Sequence, residues 1–78
     1  MLKVNEWNEI LTYARKLAEE NNIGCRPYTM YDGRKGIYFF QLDCDGNQYG
    51  QEVATGICKT KEEYMKKIKY FVRQVATN

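Results

Sequence analysis

The 78-residue sequence predicts a small α+β domain with the order α-β-β-β-α, in which a three-stranded antiparallel meander is flanked by an N-terminal and a C-terminal helix. Three observations predict this class. Apolar residues recur at helical spacing near both ends, the segments between them are rich in β-branched and aromatic residues, and Asp-Gly pairs separate those segments. A chain of this length is expected to form one domain, residues 1–78.

The first helix is predicted over residues 5–21. Its apolar residues recur at steps of three and four, which places them on one face. These residues are Val4, Trp7, Leu11, Ala14, Leu17 and Ala18. Asn5 is expected to cap the start of the helix, and the Asn-Asn-Ile-Gly segment to end it, because Asn and Gly tolerate the left-handed conformation.

Three strands are predicted between the helices, over residues 25–31, 37–43 and 48–58. Pro27 lacks a backbone donor, which places the first strand at an edge of the sheet. Asp32-Gly33 and Asp45-Gly46 predict tight turns between the strands. Gly50 interrupts the third strand and indicates either a bulge or a close approach of another backbone.

The second helix is predicted to begin after Thr60. Thr60 and Glu63 have the spacing of a capping box, in which each residue accepts a hydrogen bond from the backbone of the other. An apolar stripe at helical spacing follows. Its members are Tyr64, Ile68, Phe71, Val72 and Val75.

The composition excludes several kinds of enzyme. The chain contains no histidine and no serine, so it has no Ser-His-Asp triad, no Cys-His dyad and no histidine-ligated metal. Asp43, Asp45 and Asn47 begin like a calcium loop, but the required later Gly and Glu are missing, so turn chemistry is expected instead. We expect no enzymatic activity, no cofactor and no metal.

The three cysteines are odd in number and widely spaced, unlike a disulfide framework or a zinc knuckle. Cys25 and Cys44 are expected to be buried, reduced thiols. Cys58 precedes a helix start, a position that can lower a thiol pKa. With no long apolar segment and no signal-peptide pattern, a cytoplasmic location without membrane contact is expected.

The central strand contains four consecutive apolar residues, 37–40, so both of its faces are apolar. If both helices pack on one face, the other face is left uncovered, with Phe39 or Phe40 and neighbouring tyrosines on it. If one helix covers each face, no such surface exists. An uncovered aromatic face is typical of a partner site or of a homodimer interface. The residues expected to contact a partner are Tyr31, Phe39, Gln41 and Tyr70.

The formal net charge is +2, but it is unevenly distributed. Residues 1–58 contain six Lys or Arg against eight Asp or Glu, whereas residues 59–78 contain six against two. The basic C-terminal segment is either an ordinary solvated helix face or part of a nucleic-acid footprint. The residues of that footprint would be Arg34, Lys35, Lys59, Lys61, Lys66, Lys69 and Arg73.

Three local motifs lie from Gly36 onward: Gly36-Ile37-Tyr38, the Asp45-Gly46-Asn47 turn, and the Gly56–Glu63 entry into the last helix. Through them, residues 36–72 resemble the arm-type DNA-binding domain of phage and conjugative-element tyrosine recombinases. The resemblance implies a three-stranded sheet, followed by a helix, that enters the major groove of DNA. The complete element order is also similar to that of the double-stranded RNA-binding domain.

The second and third predicted strands depart from the recombinase pattern, because they contain carboxylates and amides but no Lys or Arg. These residues are Gln41, Asp43, Gln48, Gln51 and Glu52. Carboxylates facing phosphates are repelled. We therefore expect a binding module for a protein or nucleoprotein partner, of the class of phage or mobile-element accessory and inhibitor proteins that includes anti-CRISPR proteins. The alternative is a DNA- or RNA-binding domain that uses the last helix and the hairpin loop.

Overall fold

The computed structural model describes residues 2–77. Its elements are α1 (Val4–Glu20), β1 (Ile23–Thr29), β2 (Lys35–Leu42), β3 (Gln48–Ala54) and α2 (Lys61–Ala76). The strands form one antiparallel sheet in the order β1-β2-β3, which confirms the predicted α+β class and element order. Within residues 2–77, neither helix has the length and hydropathy needed to cross a lipid bilayer.

The start of α1 differs from the prediction. Lys3 is the N-cap, and the Glu6 carboxylate accepts the Lys3 backbone N–H at 3.1 Å, so the predicted cap, Asn5, lies inside the first turn. A carboxylate near a helix start also faces the positive end of the helix dipole. The end of α1 is as predicted, since Asn22 adopts a left-handed φ of 56°.

α2 begins after the predicted cap. The Thr60 hydroxyl accepts the Glu63 backbone N–H at 3.2 Å. In a capping box, the Glu63 carboxylate would accept the backbone N–H of the N-cap residue, Thr60. Here it accepts the backbone N–H of the preceding residue, Lys59, at 3.4 Å. The Lys61 ammonium forms an ion pair with Glu9 of α1, which links the first turn of α2 to the second turn of α1.

The two hairpins share one loop design. The Met30 N–H donates to the Arg34 carbonyl at 2.7 Å, and the Asp43 N–H donates to the Asn47 carbonyl at 2.8 Å. The glycines of the two loops adopt φ values of 93° and 82°, a conformation open to glycine at little cost. Each loop is a three-residue connection with glycine at its left-handed position, which is a common hairpin form.

Pro27 lies on an edge strand, as predicted. It is opposite Ile37 of β2, but both backbone groups of Ile37 bond to Thr55 on the other side. The Ile37 N–H donates to the Thr55 hydroxyl at 3.1 Å, and the Ile37 carbonyl accepts the Thr55 N–H at 2.9 Å. The proline nitrogen therefore faces away from the sheet, and its missing donor removes no bond between strands.

β3 is shorter than predicted and contains a bulge. Phe39 pairs with Val53 and Gln41 pairs with Tyr49, so one residue of β2 faces three residues of β3. Gly50 lies in this bulge with a φ of 77°. No other group lies close to the position of its missing Cβ, so of the two alternatives for Gly50 the bulge is correct.

Both helices pack on the same face of the sheet. Ile37 and Phe39 are fully buried in one apolar cluster that includes residues of both helices. The helical members are Ile10, Ala14, Ala18, Tyr64, Ile68, Val72 and Val75. Because side chains alternate along a strand, Tyr38 and Phe40 lie on the uncovered face. The expectation that Phe39 contacts a partner is therefore wrong, since its ring is part of the core.

Candidate functional site

The sheet surface opposite the helices forms the first candidate site, which we call the aromatic face. Its residues are Arg26, Tyr28, Tyr38, Phe40 and Glu52, and each is partly exposed. The rings of Tyr28 and Tyr38 pack together with their centroids 4.5 Å apart. This surface is apolar at its centre and is left uncovered by the protein's own helices.

Two glycines hold aromatic rings of this face close to the backbone. Gly24 lies opposite Phe40, and Gly36 lies opposite Tyr28. A Cβ at Gly24 would lie 2.2 Å from the Phe40 ring, and one at Gly36 would lie 2.3 Å from the Tyr28 hydroxyl oxygen. The rings therefore occupy space that any other residue would need. The resulting burial raises the pKa of the Tyr28 phenol.

The charges of the aromatic face balance. The Arg26 guanidinium lies 5.4 Å from the centre of the Tyr38 ring, within the range of a cation–π contact. It also bonds the Glu52 carboxylate at 3.0 Å, and the Gln48 side-chain amide donates to that carboxylate at 3.3 Å. Because Arg26 is the one cation and Glu52 the one carboxylate among the five residues, the face has no net charge.

The structure does not bring the four predicted partner-binding residues together. Tyr31 is fully exposed at the tip of the first hairpin, and Tyr70 is 62% exposed on α2. Gln41 lies on the helix side of the sheet, where its side-chain amide donates to the Val75 carbonyl at 3.1 Å. Phe39 is buried in the core. These positions belong to different surfaces or to none.

Sequence reasoning missed the main residues of the aromatic face. A signal for part of it was present, because Gly24, Arg26 and Tyr28 alternate and therefore share one face of β1. The choice between Phe39 and Phe40 had no such signal, since residues 37–40 are consecutive and apolar. The aromatic residues of β2 that lie on the exposed face are Tyr38 and Phe40.

A groove at one end of the molecule forms the second candidate site, where the start of α1, the first hairpin loop and the segment before α2 meet. We call it the junction groove, and its volume is about 760 Å³. Its apolar side chains include Val4, Trp7 and Ile57. Trp7 is half-buried and contacts the Tyr64 ring edge-on, with centroids 5.5 Å apart. Burial raises the pKa of the Tyr64 phenol, whose hydroxyl donates to the Lys35 carbonyl at 2.5 Å.

Four of the residues that line the junction groove are cationic. They are Lys3, Arg34, Lys35 and Lys59. Asp32 is the one carboxylate among the described lining residues, and it accepts the Arg34 backbone N–H at 3.1 Å and the Arg34 side chain at 2.7 Å. These bonds, the backbone bond most of all, hold the pKa of Asp32 below its usual value.

The structure divides the predicted nucleic-acid residues into two groups. The group in the junction groove is Arg34, Lys35 and Lys59. The group on the exposed side of α2, opposite the buried stripe, is Lys66, Lys69 and Arg73. Lys61 belongs to neither group, because its ammonium is paired with Glu9, which raises the pKa of Lys61.

The thiols differ from their predicted states. Cys44 is exposed in the second hairpin loop, Cys25 is half-buried, and Cys58 is buried. Burial raises the pKa of the Cys58 thiol, so the lowering that a helix start can cause does not prevail at this position. Burial also raises the pKa of Cys25. Among residues 2–77, no group of three or more Cys, Asp or Glu side chains is placed to hold a metal ion.

The Asp43 carboxylate stabilises the second hairpin loop. It accepts the backbone N–H groups of Asp45 and Asn47, both at 2.9 Å. An aspartate that bonds backbone groups shortly after it is typical of a turn. The predicted turn chemistry of this segment is therefore confirmed.

Comparison of the chain with protein-family models, with curated proteins and with solved structures finds no match. The resemblance of residues 36–72 to recombinase arm-type domains therefore stays a prediction. The aromatic face, the junction groove and the basic exposed side of α2 are the candidate binding surfaces of the molecule.

Proposed function

We propose that the chain is a non-enzymatic binding module whose aromatic face docks onto a protein partner. The observation that supports this function is the packing of both helices on one side of the sheet, which leaves Tyr28, Tyr38 and Phe40 partly exposed. Tyrosine and phenylalanine supply a large contact area for little loss of side-chain freedom. A neighbouring protein that covered these rings would remove apolar surface from water.

The charge balance of the aromatic face favours a protein over a nucleic acid. Binding to phosphates needs an excess of Lys and Arg, but Arg26 is offset by its bond to Glu52. Aromatic centres with a polar rim are typical of protein interfaces. Gln48 and Glu52 form such a rim beside Tyr38 and Phe40.

Within this function, we propose the class of phage or mobile-element accessory and inhibitor proteins, which includes anti-CRISPR proteins. Small binding modules without catalytic machinery are common in that class. The target would be a protein or a nucleoprotein complex of the cytoplasm, a compartment in which free thiols such as Cys44 stay reduced.

Photo-crosslinking tests the proposed face directly. A benzophenone amino acid replaces Tyr38 on the aromatic face or, as the matched control, Tyr70 on the exposed side of α2. We expect the probe at Tyr38 to give a crosslinked heterologous protein in source cells and the probe at Tyr70 to give none. Crosslinks from Tyr70 alone would contradict the proposal.

The purified partner then permits a quantitative test. Tyr38→Ser is expected to weaken its binding by about tenfold or more, as truncation of a central aromatic residue does at interfaces. Tyr70→Ser should leave the affinity unchanged. Sedimentation of the chain alone at micromolar concentration distinguishes a second copy from a heterologous partner. A dimer that dissociates on Tyr38→Ser would assign the face to self-association and overturn the proposal.

A second candidate function is nucleic-acid binding through α2, which is favoured by the shared exposed side of Lys66, Lys69 and Arg73. Such binding would weaken steeply between low and physiological salt. Fluorescence anisotropy with DNA and RNA duplexes at both salt concentrations measures it. Absence of binding at low salt would exclude this function, whereas binding that is lost in Lys69→Gln would support it.

A further inference from the structure

We propose that the junction groove binds a short acidic peptide segment with an apolar anchor, independently of the partner on the aromatic face. Ligand pockets commonly have volumes of about 300–1,000 Å³. The junction groove, at about 760 Å³, lies within that range. Its walls come from α1, the first hairpin and the segment before α2, which together form one concave surface.

The apolar part of the groove provides a place for the anchor. Val4 is 79% exposed and Ile57 is 41% exposed, although both are aliphatic. With half-buried Trp7 they line a single cavity. An aliphatic or aromatic side chain of a ligand would bury these groups together and remove their surface from water.

The charged residues of the groove favour negative charge on the part of the peptide that flanks the anchor. Four lining residues are cationic: Lys3, Arg34, Lys35 and Lys59. Asp32 is the one described lining carboxylate, and it is already bonded by Arg34. Glu6 and Glu63 accept the backbone N–H groups of Lys3 and Lys59 and are not themselves lining residues. The described lining residues therefore carry an excess of three positive charges, which is complementary to carboxylates on a ligand.

The same observations favour a peptide over a nucleic acid. A phosphodiester backbone would satisfy the cations but would leave Val4 and Ile57 in water. Bases bind single-stranded sites by stacking on aromatic rings or guanidinium planes. In the groove, the Trp7 ring is half-buried against Tyr64 and the Arg34 guanidinium is bonded to Asp32, whereas the exposed Val4 and Ile57 offer no plane for stacking. The second basic group, on the exposed side of α2, does not line the groove and so does not extend it into a longer charged track.

The position of Trp7 makes the groove directly observable. Trp7 is the only tryptophan of the chain, so selective excitation reports on the groove alone. The probe is an acetylated octapeptide with a central Leu-Phe pair between two triplets of glutamate. The control peptide has lysine in place of glutamate. RNA and DNA duplexes of about 16 base pairs, the span of a double-stranded RNA-binding domain, provide the nucleic-acid arm.

We expect a saturable change in Trp7 emission with the acidic peptide and none with the other ligands. Lys3→Gln and Lys59→Gln should each weaken binding about two- to fivefold, and the double variant about tenfold, as for partly exposed ion pairs. Lys69→Gln, on the exposed side of α2, is the matched control and should have no effect. Ile57→Ser, with folding checked by circular dichroism, should weaken binding through the anchor.

Three results would overturn the proposal. Equal responses to the acidic and the basic peptide would refute charge selection. A response to a duplex but not to the acidic peptide would assign the groove to nucleic acid, and no response to any ligand would remove the site. Tyr38→Ser should leave the titration unchanged, so failure of the groove and failure of the aromatic face are distinguishable.

Discussion

Phe39 and Phe40 provide a sharp test of the fold, because they are consecutive, chemically identical and on opposite sides of the sheet. Phe39 is fully buried between the sheet and the two helices. Phe40 is partly exposed and contacts the backbone at Gly24. Replacing each by alanine removes the same atoms from two different environments. The difference between the two losses of unfolding free energy therefore shows which ring lies in the core, and with it which face of β2 is covered.

The two substitutions are expected to lower the unfolding free energy by clearly different amounts. Phe39→Ala leaves a cavity in the core, and such substitutions cost about 3–5 kcal/mol of unfolding free energy. Phe40→Ala loses only the part of the ring that is covered, which amounts to about 1–2 kcal/mol. At about 0.05–0.15 kcal/mol per residue, a domain of this size has a total stability of about 4–12 kcal/mol. Phe39→Ala therefore removes a large fraction of that stability, and Phe40→Ala a small one.

Urea unfolding followed by far-ultraviolet circular dichroism measures both costs. Phe39→Leu is added as a milder core substitution, so that a folded sample exists even if Phe39→Ala does not fold. The slope of the unfolding free energy against urea concentration should be the same in the folded variants. Equal costs, or a larger cost for Phe40→Ala, would refute the reasoning, because a shift of one residue exchanges the two faces of a strand.

Three further outcomes follow from individual contacts. Thr55→Val removes the buried hydroxyl that accepts the Ile37 N–H, and it should lower the unfolding free energy in urea by about 1–3 kcal/mol. An unchanged midpoint of the urea unfolding curve would mean that this hydrogen bond is absent. Under native conditions a disulfide reagent should label Cys44 first and Cys58 only after unfolding, as mass spectrometry would show; early labelling of Cys58 would contradict its burial. Hydrogen bonds within the first hairpin, chiefly from the backbone N–H of Arg34, lower the pKa of Asp32 in the folded state. The ionised Asp32 carboxylate therefore stabilises the fold above its unfolded-state pKa, and this stabilisation is lost as pH falls through its folded-state pKa. Asp32→Asn should therefore be less stable than the natural chain at neutral pH and equally stable in acid, and a difference that persists in acid would refute this assignment.

The order of elements could be predicted because its signals are local. The apolar spacing of each helix, the Asp-Gly turns and the cap at Thr60 all lie within a few residues of the structure that they specify. The cap at Asn5 was wrong because a carboxylate at Glu6 could satisfy the backbone of Lys3 instead. The register of β2 could not be predicted, because its apolar residues do not alternate with polar ones.

The candidate sites were harder to predict than the fold. The junction groove brings together Val4, Arg34 and Ile57, which are far apart in sequence and meet only through tertiary packing. Burial of the thiols depended on small shifts in element ends. Cys44 is exposed because the hairpin loop includes it. Cys58 is buried because β3 ends at Ala54 and the segment that follows places Cys58 in the core cluster.

The proline of β1 and the bulge of β3 have a joint consequence for self-association. An exposed sheet edge is a template on which further strands add, and this is a common route to aggregation. At one edge Pro27 has no amide hydrogen to offer, and at the other the bulge at Gly50 interrupts the regular spacing of backbone groups. Neither outer strand therefore supports a long ladder with a neighbouring molecule. The chain can leave its aromatic face uncovered while resisting growth into fibrils.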